Sequence, residues 1–225
     1  SQFWHLLWNS LTLALIASLI CLLLAMFLGY GKRRYPGAAQ TGAVRIAAMG
    51  YAVPGTVIAV GVLIPFGALD NQLDALVQTL FGVSTGLLLS GTLVALIFAY
   101  VVRFLSVSLQ TVESGLNRIK PSLDEAARSL GSSNERVLRD IHLPLLRGSL
   151  LTALLLVFVD VLKELPTTLI LRPFNFNTLA VRTFELASDE RLADAALPAL
   201  AIVIIGLLPV ILLMRNLDKG AASHA

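Results

Sequence analysis

Five stretches of this chain stay apolar for about the length of a bilayer core, and polar segments separate them. A core of about 30 Å needs roughly 20 residues of helix at about 1.5 Å each. Residues 11–30 carry no charge, and neither do 46–69, which Pro54 and Pro65 interrupt. A third run covers about 84–104, with Leu87 to Val102 as its apolar centre. A fourth, 148–171, carries Asp160, Lys163 and Glu164 inside it, and a fifth covers 195–214. The pattern predicts an all-α, polytopic membrane helix bundle of about five transmembrane helices.

Between spans two and three, Asp70 reads as an N-cap, followed by Leu73, Leu76, Val77 and Leu80 at helical spacing, with Gly82 as the stop. The opposite face is polar, which predicts a short separate helix on the surface. In span two, Gly50, Gly55, Ala59 and Gly61 suggest close helix packing. The polar segment between spans three and four holds two capping-box patterns, Ser122 with Glu125 and Ser132 with Glu135. They predict two short helices meeting at Gly131. The first aligns Leu123, Ala126, Ala127 and Leu130; the second aligns Val137, Leu138 and Ile141 and leaves Arg128, Glu135, Arg136 and Arg139 for water or a partner. Pro144 should end the pattern.

Composition confirms the medium: 56% of the 225 residues are hydrophobic and 14% charged, with a mean hydropathy of +0.81. A net charge of +3 reflects membrane sidedness and does not point to nucleic acid. If the segment between spans one and two is cytoplasmic, Lys32, Arg33, Arg34 and Arg45, the seven basic residues from Arg103 to Arg147, and Arg215 and Lys219 all face inward, thirteen of the seventeen. Only Arg172, Arg182 and Arg191 then lie outside. The N-terminus of this segment is therefore expected outside and the C-terminus in the cytoplasm. Absence of an initiator Met, together with the exported N-terminus, suggests the later part of a longer polypeptide with spans upstream.

Catalytic signatures are lacking. Gly29-Tyr30-Gly31-Lys32 has neither the spacing nor the hydroxyl residue of a phosphate loop, so the chain should not itself hydrolyse ATP. His5, His142 and His224 are scattered, Cys21 is alone, and no residue set points to a resident metal or to nucleophilic catalysis.

Glu125, Ala126, Ala127, Gly131, Ile141, Leu143 and Pro144 stand at the spacing EAA, three residues, Gly, nine residues, I-x-L-P. This segment, 122–144, resembles the EAA loop of ABC importer permeases. The resemblance implies a coupling-helix loop that docks on a separate ATPase, a single transmembrane domain over 1–225, and residence in the bacterial inner membrane. It further implies a dimer of ATPase subunits that bind ATP and Mg, a periplasmic substrate-binding protein, and a second permease half or copy, with lipid around the bundle. This chain would hold no cofactor. Ala126 and Ala127 permit close approach, and Gly131 supplies the left-handed turn.

Asp160, Lys163 and Glu164 are expensive within a span, on the order of 2.5–3.5 kcal/mol each, and so should face the interior or a wet cavity. Asp160 and Glu164 are expected on one helical face. Both a substrate route and an internal Lys163–Asp160 ion pair remain open on the residues alone. From Asp160 through Arg172-Pro173-Phe174 and Asn177–Arg182 to Ala195-Ala196 the chain is similar to ferric iron importer permeases. That similarity implies iron(III) as the substrate, with phosphonate, thiamine, polyamine and sulfate permeases sharing the architecture. An ATP-independent channel or structural membrane subunit is the competing class.

Overall fold

A computed structural model describes residues 2–222, with backbone only for 212, 213 and 215–222; His224 and the side chains of Arg215 and Lys219 lie outside it. Helices α1 (Gln2–Arg34) and α2 (Ala38–Ala47) lead through a 3-10 turn, Gly50–Ala52, into α3 (Gly55–Phe81) and α4 (Leu93–Asn117). A short α5 (Pro121–Ser129) precedes α6 (Asn134–Val137), which passes through a π-helical turn, Leu138–His142, directly into α7 (Leu143–Leu162). Then come α8 (Pro166–Leu171), α9 (Leu179–Ser188) and α10 (Leu192–Ala222). Among the described residues, five helices are long and apolar enough to cross a membrane: Gln2–Arg34, Gly55–Phe81, Leu93–Asn117, Asn134–Leu162 and Leu192–Ile211.

Small residues decide which faces meet. Ala14, Ala17, Cys21, Ala25 and Gly29 recur at three- and four-residue steps along α1 and are buried. They let α4 and α7 come close, which in a bilayer replaces the hydrophobic drive that lipid tails remove. One core joins Leu13 and Ala17 of α1 with Ile58 and Val62 of α3, Leu96 and Tyr100 of α4 and Val157 of α7. A second, nearer the polar loop, joins Ala25, Val44, Leu109, Leu116 and Leu146. Outward-facing residues such as Leu23 and Phe27 of α1, Ile64 of α3, and Val203, Ile204 and Leu207 of α10 are apolar and exposed, as a lipid-facing surface requires.

Several sequence expectations shift. Span two begins at Gly55, since residues 46–54 finish α2 and make the 3-10 turn. Pro54 caps that helix and does not kink it. Asp70 does not start a separate surface helix, because α3 runs through it to Phe81. Its buried carboxylate instead accepts from the N–H groups of Leu88, Leu89 and Ser90 and from the Ser90 hydroxyl at 2.6–3.1 Å. Asp74, one turn on, accepts from Ser84 and Thr85 in the same way. The connection after Gly82 is thereby folded back on α3, so span three starts at Leu93, capped by Thr92, and not near residue 84. Gly82 ends α3 in the left-handed conformation, as expected.

Span four differs most. Helix α7 stops at Leu162, and the chain turns through Lys163, Glu164 and Leu165 before α8 begins at Pro166. Proline cannot donate to the carbonyl four residues back and disfavours helix at the preceding residue, which places the break there. Asp160 and Glu164 accordingly do not share a helical face.

Candidate functional site

The loop from Lys120 to Pro144 is built from local signals. Pro121 occupies the first turn of α5, where its missing N–H costs nothing. The expected Ser122 cap is displaced, because Lys120 is the N-cap residue and Ser122 lies inside the helix without a capping bond. At the other end Gly131 has φ +82°. Its N–H donates to Arg128 O at 2.9 Å and that of Ser132 to Ala127 O at 3.0 Å, the paired bonds of a Schellman turn. Such a φ penalises any side chain, which is why glycine stands there. The second cap falls at Ser133, one residue beyond Ser132, and accepts from Arg136 N–H at 3.4 Å.

The second helix of the pair is not free-standing. From Asn134 the helix continues through the π turn into the fourth span, and Pro144 sits in its first α-helical turn. Pro144 has no N–H for the carbonyl of Asp140, and the widened turn accommodates this gap: Leu143 N–H donates to Leu138 O, five residues back. Ile141 and Leu143 lie on this stretch, half-buried and exposed respectively, while Glu125, Ala126 and Gly131 are exposed and Ala127 is buried against the bundle. Leu123 and Leu130 are exposed although the spacing aligned them with Ala127. Together with Ala126 they give α5 an apolar outer surface beside Glu125 and Arg128.

A buried ionic clasp, absent from the sequence expectations, braces this loop. Asp124 Oδ2 accepts from Arg33 Nε and Nη2 at 3.2 and 3.0 Å. Its Oδ1 lies 2.7 Å from His142 Nε2; a carboxylate only accepts, so Nε2 carries the proton. Burial works to raise the Asp124 carboxyl, but the His142 and Arg33 hydrogen bonds and their charges prevail and hold it below the usual carboxylate range. Arg33 also donates to the carbonyls of Leu116 and Ile119 at 2.6 and 3.0 Å, closing the end of α4. One arginine thus ties α1, α4 and α5 together, while His142 ties α5 to the π turn. The only sequence signal was a lone His and Asp eighteen residues apart.

At the membrane break, Glu164 is buried and its carboxylate accepts from Thr167 N–H, the Thr167 hydroxyl at 2.8 Å, and Thr168 N–H. It satisfies the open N–H groups that start α8. Arg103 Nε approaches to 4.0 Å, and Arg103 Nη1 donates to Val53 O at 3.3 Å. Gly55 fits into this cluster only because it has no side chain: a Cβ there would lie 2.5 Å from Arg103 Nη1 and 2.7 Å from Glu164 Oε1. Gly50 is similarly pressed on Val102, whereas Gly61 has open space around it. Asp160 and Lys163 form an ion pair at 3.0 Å, with the lysine side chain 62% exposed. Glu185 bridges Arg172 and Arg182 at 3.3 and 3.2 Å. No cluster of metal-binding side chains occurs among the described residues.

A bundle with five candidate spans and a braced helix pair between the third and fourth is the architecture that a transport permease of the ABC importer class requires, and the family match places the chain in that class. The chain belongs to the family described as "Binding-protein-dependent transport system inner membrane component", whose profile matches residues 7–223. It is 30% identical over 218 residues to a Salmonella typhimurium protein named "Putative 2-aminoethylphosphonate transport system permease protein PhnV", covering 97% of this chain and 75% of that one. It is 28% identical to the "Fe(3+)-transport system permease protein FbpB 2" of Haemophilus influenzae, covering 94% of this chain but 38% of the relative. Among solved structures, the inward-facing MetNI methionine ABC transporter aligns over 97% of both chains with a TM-score of 0.69 at 18% identity. A bacterial ABC transporter that imports alginate aligns over 97% of this chain and 80% of its own, with a TM-score of 0.76 at 14% identity. These two likenesses concern the fold.

Proposed function

We infer that this chain is the permease subunit through which a separate ATPase drives import by alternating access, and that residues 122–144 are its coupling loop. The observation that carries this reading is the geometry at Gly131: a left-handed turn that presents Glu125, Ala126 and Leu130 outward while Ala127 and the Asp124 clasp anchor the same helix inward. A helix pair that merely covered the bundle would bury its apolar residues. Here Leu123 and Leu130 face away from it, which suits docking on a partner of complementary surface. Gly131, Ile141, Leu143 and Pro144 shape the loop and its passage into the fourth span. In this reading the loop is cytoplasmic, the N-terminus of the segment lies outside, and ATP and Mg belong to the partner ATPase dimer. A periplasmic binding protein delivers the substrate, and a second permease half or copy completes the pathway.

For the substrate, iron(III) is the first reading, supported by the similarity of residues 160–196 and by the Haemophilus relative. A phosphonate is the second, favoured by the longer match to the Salmonella protein. Glu164 is committed to capping α8, which leaves the Asp160–Lys163 pair at the helix break, with its exposed lysine and half-buried carboxylate, as the element of the route that meets the pathway. The deciding experiment reconstitutes the transporter with its ATPase and binding protein in liposomes and follows radiolabelled iron(III) and 2-aminoethylphosphonate. Uptake should need both ATP and the binding protein and should favour iron. Phosphonate uptake without iron uptake would select the second reading, and ATP-independent flux would refute the importer. Cysteines placed at Ser133 and Ser188 in a Cys21→Ser background should label from the cytoplasm and from outside, respectively; reversed labelling would overturn the orientation.

A further inference from the structure

The basic end of α1 borders two adjoining hollows of opposite character. One is a polar cavity of about 130 Å³ lined by Arg33, Arg34, Asp124, Arg128 and His142. The other is an apolar groove of about 540 Å³ between the ends of α1 and α2 and the start of α6, floored by Met26, Phe27, Leu28 and Leu138. Tyr30, Arg34 and Asn134 line both, so the two hollows meet at Arg34.

Charge in the polar cavity is out of balance. Asp124 is matched by Arg33, and Lys32 at the groove's edge by Glu113 at 2.7 Å. Arg34 has no carboxylate partner among the described residues; it stacks on Tyr35 at 5.2 Å, and its Nε is buried without a hydrogen bond. His142 is 1% exposed, and its Nδ1 is likewise buried and unpartnered among the described residues. The cavity therefore carries surplus positive charge and, in Arg34 Nε, an unused donor, while the groove beside it offers apolar walls. Depth is fixed by α1 itself. Its uncharged stretch ends at Gly31, and exposed Trp4 and Trp8 mark the far boundary, so the junction at Arg34 lies at the level of lipid headgroups on either choice of sidedness.

We propose that this bipartite hollow is a binding site for an anionic phospholipid, with the headgroup phosphate on Arg34 and Arg128 and an acyl chain in the groove along Phe27 and Leu138. Only an amphiphile with a negative head satisfies both halves at once. A soluble anion leaves the groove empty, and a zwitterionic lipid brings a cation to a cavity already rich in positive charge. The groove opens beside Asn134, so the lipid also rests against the start of the coupling loop proposed above. Its placement in the inner leaflet depends on that reading, but binding itself does not.

Native mass spectrometry of the complete transporter, titrated with palmitoyl-oleoyl phosphatidylglycerol or phosphatidylcholine, tests the site. Phosphatidylglycerol should be retained about fivefold more strongly, as expected for one basic side chain at the surface. Arg34→Gln should remove that preference and Arg34→Lys should keep it. Ala43→Trp, on the exposed rim of the groove, should displace the lipid without touching the charged cluster. Equal retention of both lipids by the unaltered protein, or an unchanged preference in Arg34→Gln, would overturn the proposal. So would displacement by inorganic phosphate, which would make this a site for a free anion, or a photo-crosslink from position 27 to another subunit in membranes, which would make the groove a protein interface. Retention requires no transport: a complex that binds phosphatidylglycerol selectively but shows no ATP-driven uptake would sink the importer reading and leave the lipid site standing.

Discussion

Asp124 and Glu164 are both largely buried carboxylates, with side-chain exposures of 13% and 4%, yet they hold different kinds of structure. Glu164 directs its oxygens locally, to Thr167 and Thr168 three and four residues ahead, and reaches one distant cation at 4.0 Å. Asp124 directs its oxygens to Arg33 and His142, 91 and 18 residues away. The first stabilises an interrupted helix inside the membrane region, where an open N–H group has no water to turn to. The second fastens separate elements at the membrane boundary. Loss of the first should damage the fold; loss of the second should disconnect parts that remain folded.

Glu164→Ala should produce the largest effect. It leaves Arg103 without its ionic partner and the start of α8 uncapped, a loss of about 3–5 kcal/mol for a broken buried pair, visible as a steep fall in thermal stability of the purified transporter. A stability close to that of the unaltered protein would show that the break is held by packing alone. Asp124→Ala should cost less, about 1–3 kcal/mol for groups left unpaired, but should reduce uptake per ATP hydrolysed more than Glu164→Gln does at matched folded protein. Equal coupling in the two variants would erase the distinction between them.

Gly131→Val comes next. Forcing a Cβ into φ +82° costs about 1–2 kcal/mol, which a bundle of this size tolerates, so insertion should persist while ATP-driven uptake fails. Normal uptake would remove the turn from the coupling mechanism. Acidity offers a subtler test of the clasp. Because the folded Asp124 carboxyl lies below its ordinary 3.8, its contribution is complete above that value and fades as pH falls through the lower, folded-state value. Asp124→Asn should lose that stabilisation at neutral pH and, in exchange, flatten the acid limb of the stability curve, so the two proteins converge as pH falls. Ser133→Ala is the smallest, at or below about 1 kcal/mol, since its capping bond is long at 3.4 Å.

The same pair explains what the sequence disclosed. Number and order of spans followed from apolar run length, and the turn at Gly131 followed from glycine between two helical patterns, because both are local properties. Pro166 carried the signal for the break before α8, but hydropathy runs straight across Lys163 and Glu164 and suggested an unbroken helix. Asp70 showed the reverse problem. It has the composition of a cap and follows an apolar run, while its partners, Leu88 to Ser90, lie some twenty residues on. A carboxylate's destination is set by tertiary distance, which no spacing rule records. The Arg33–Asp124–His142 clasp was hidden for that reason, and the one-residue shift of the second cap to Ser133 reflects two adjacent serines of equal capping ability.

The uninterrupted passage from α6 through the π turn into α7 has a mechanical consequence. Asn134 to Leu162 is a single helical rod of 29 residues, about 43 Å long at 1.5 Å per residue. A rod held at one end converts rotation into displacement: a tilt of about 5° imposed at Asn134 carries Leu162 sideways by roughly 4 Å. That far end is where the rod stops and the Asp160–Lys163 pair stands. In the coupling reading proposed above, a flexible joint at Pro144 would absorb the stroke near its origin, whereas a widened but continuous turn would carry it along the whole rod.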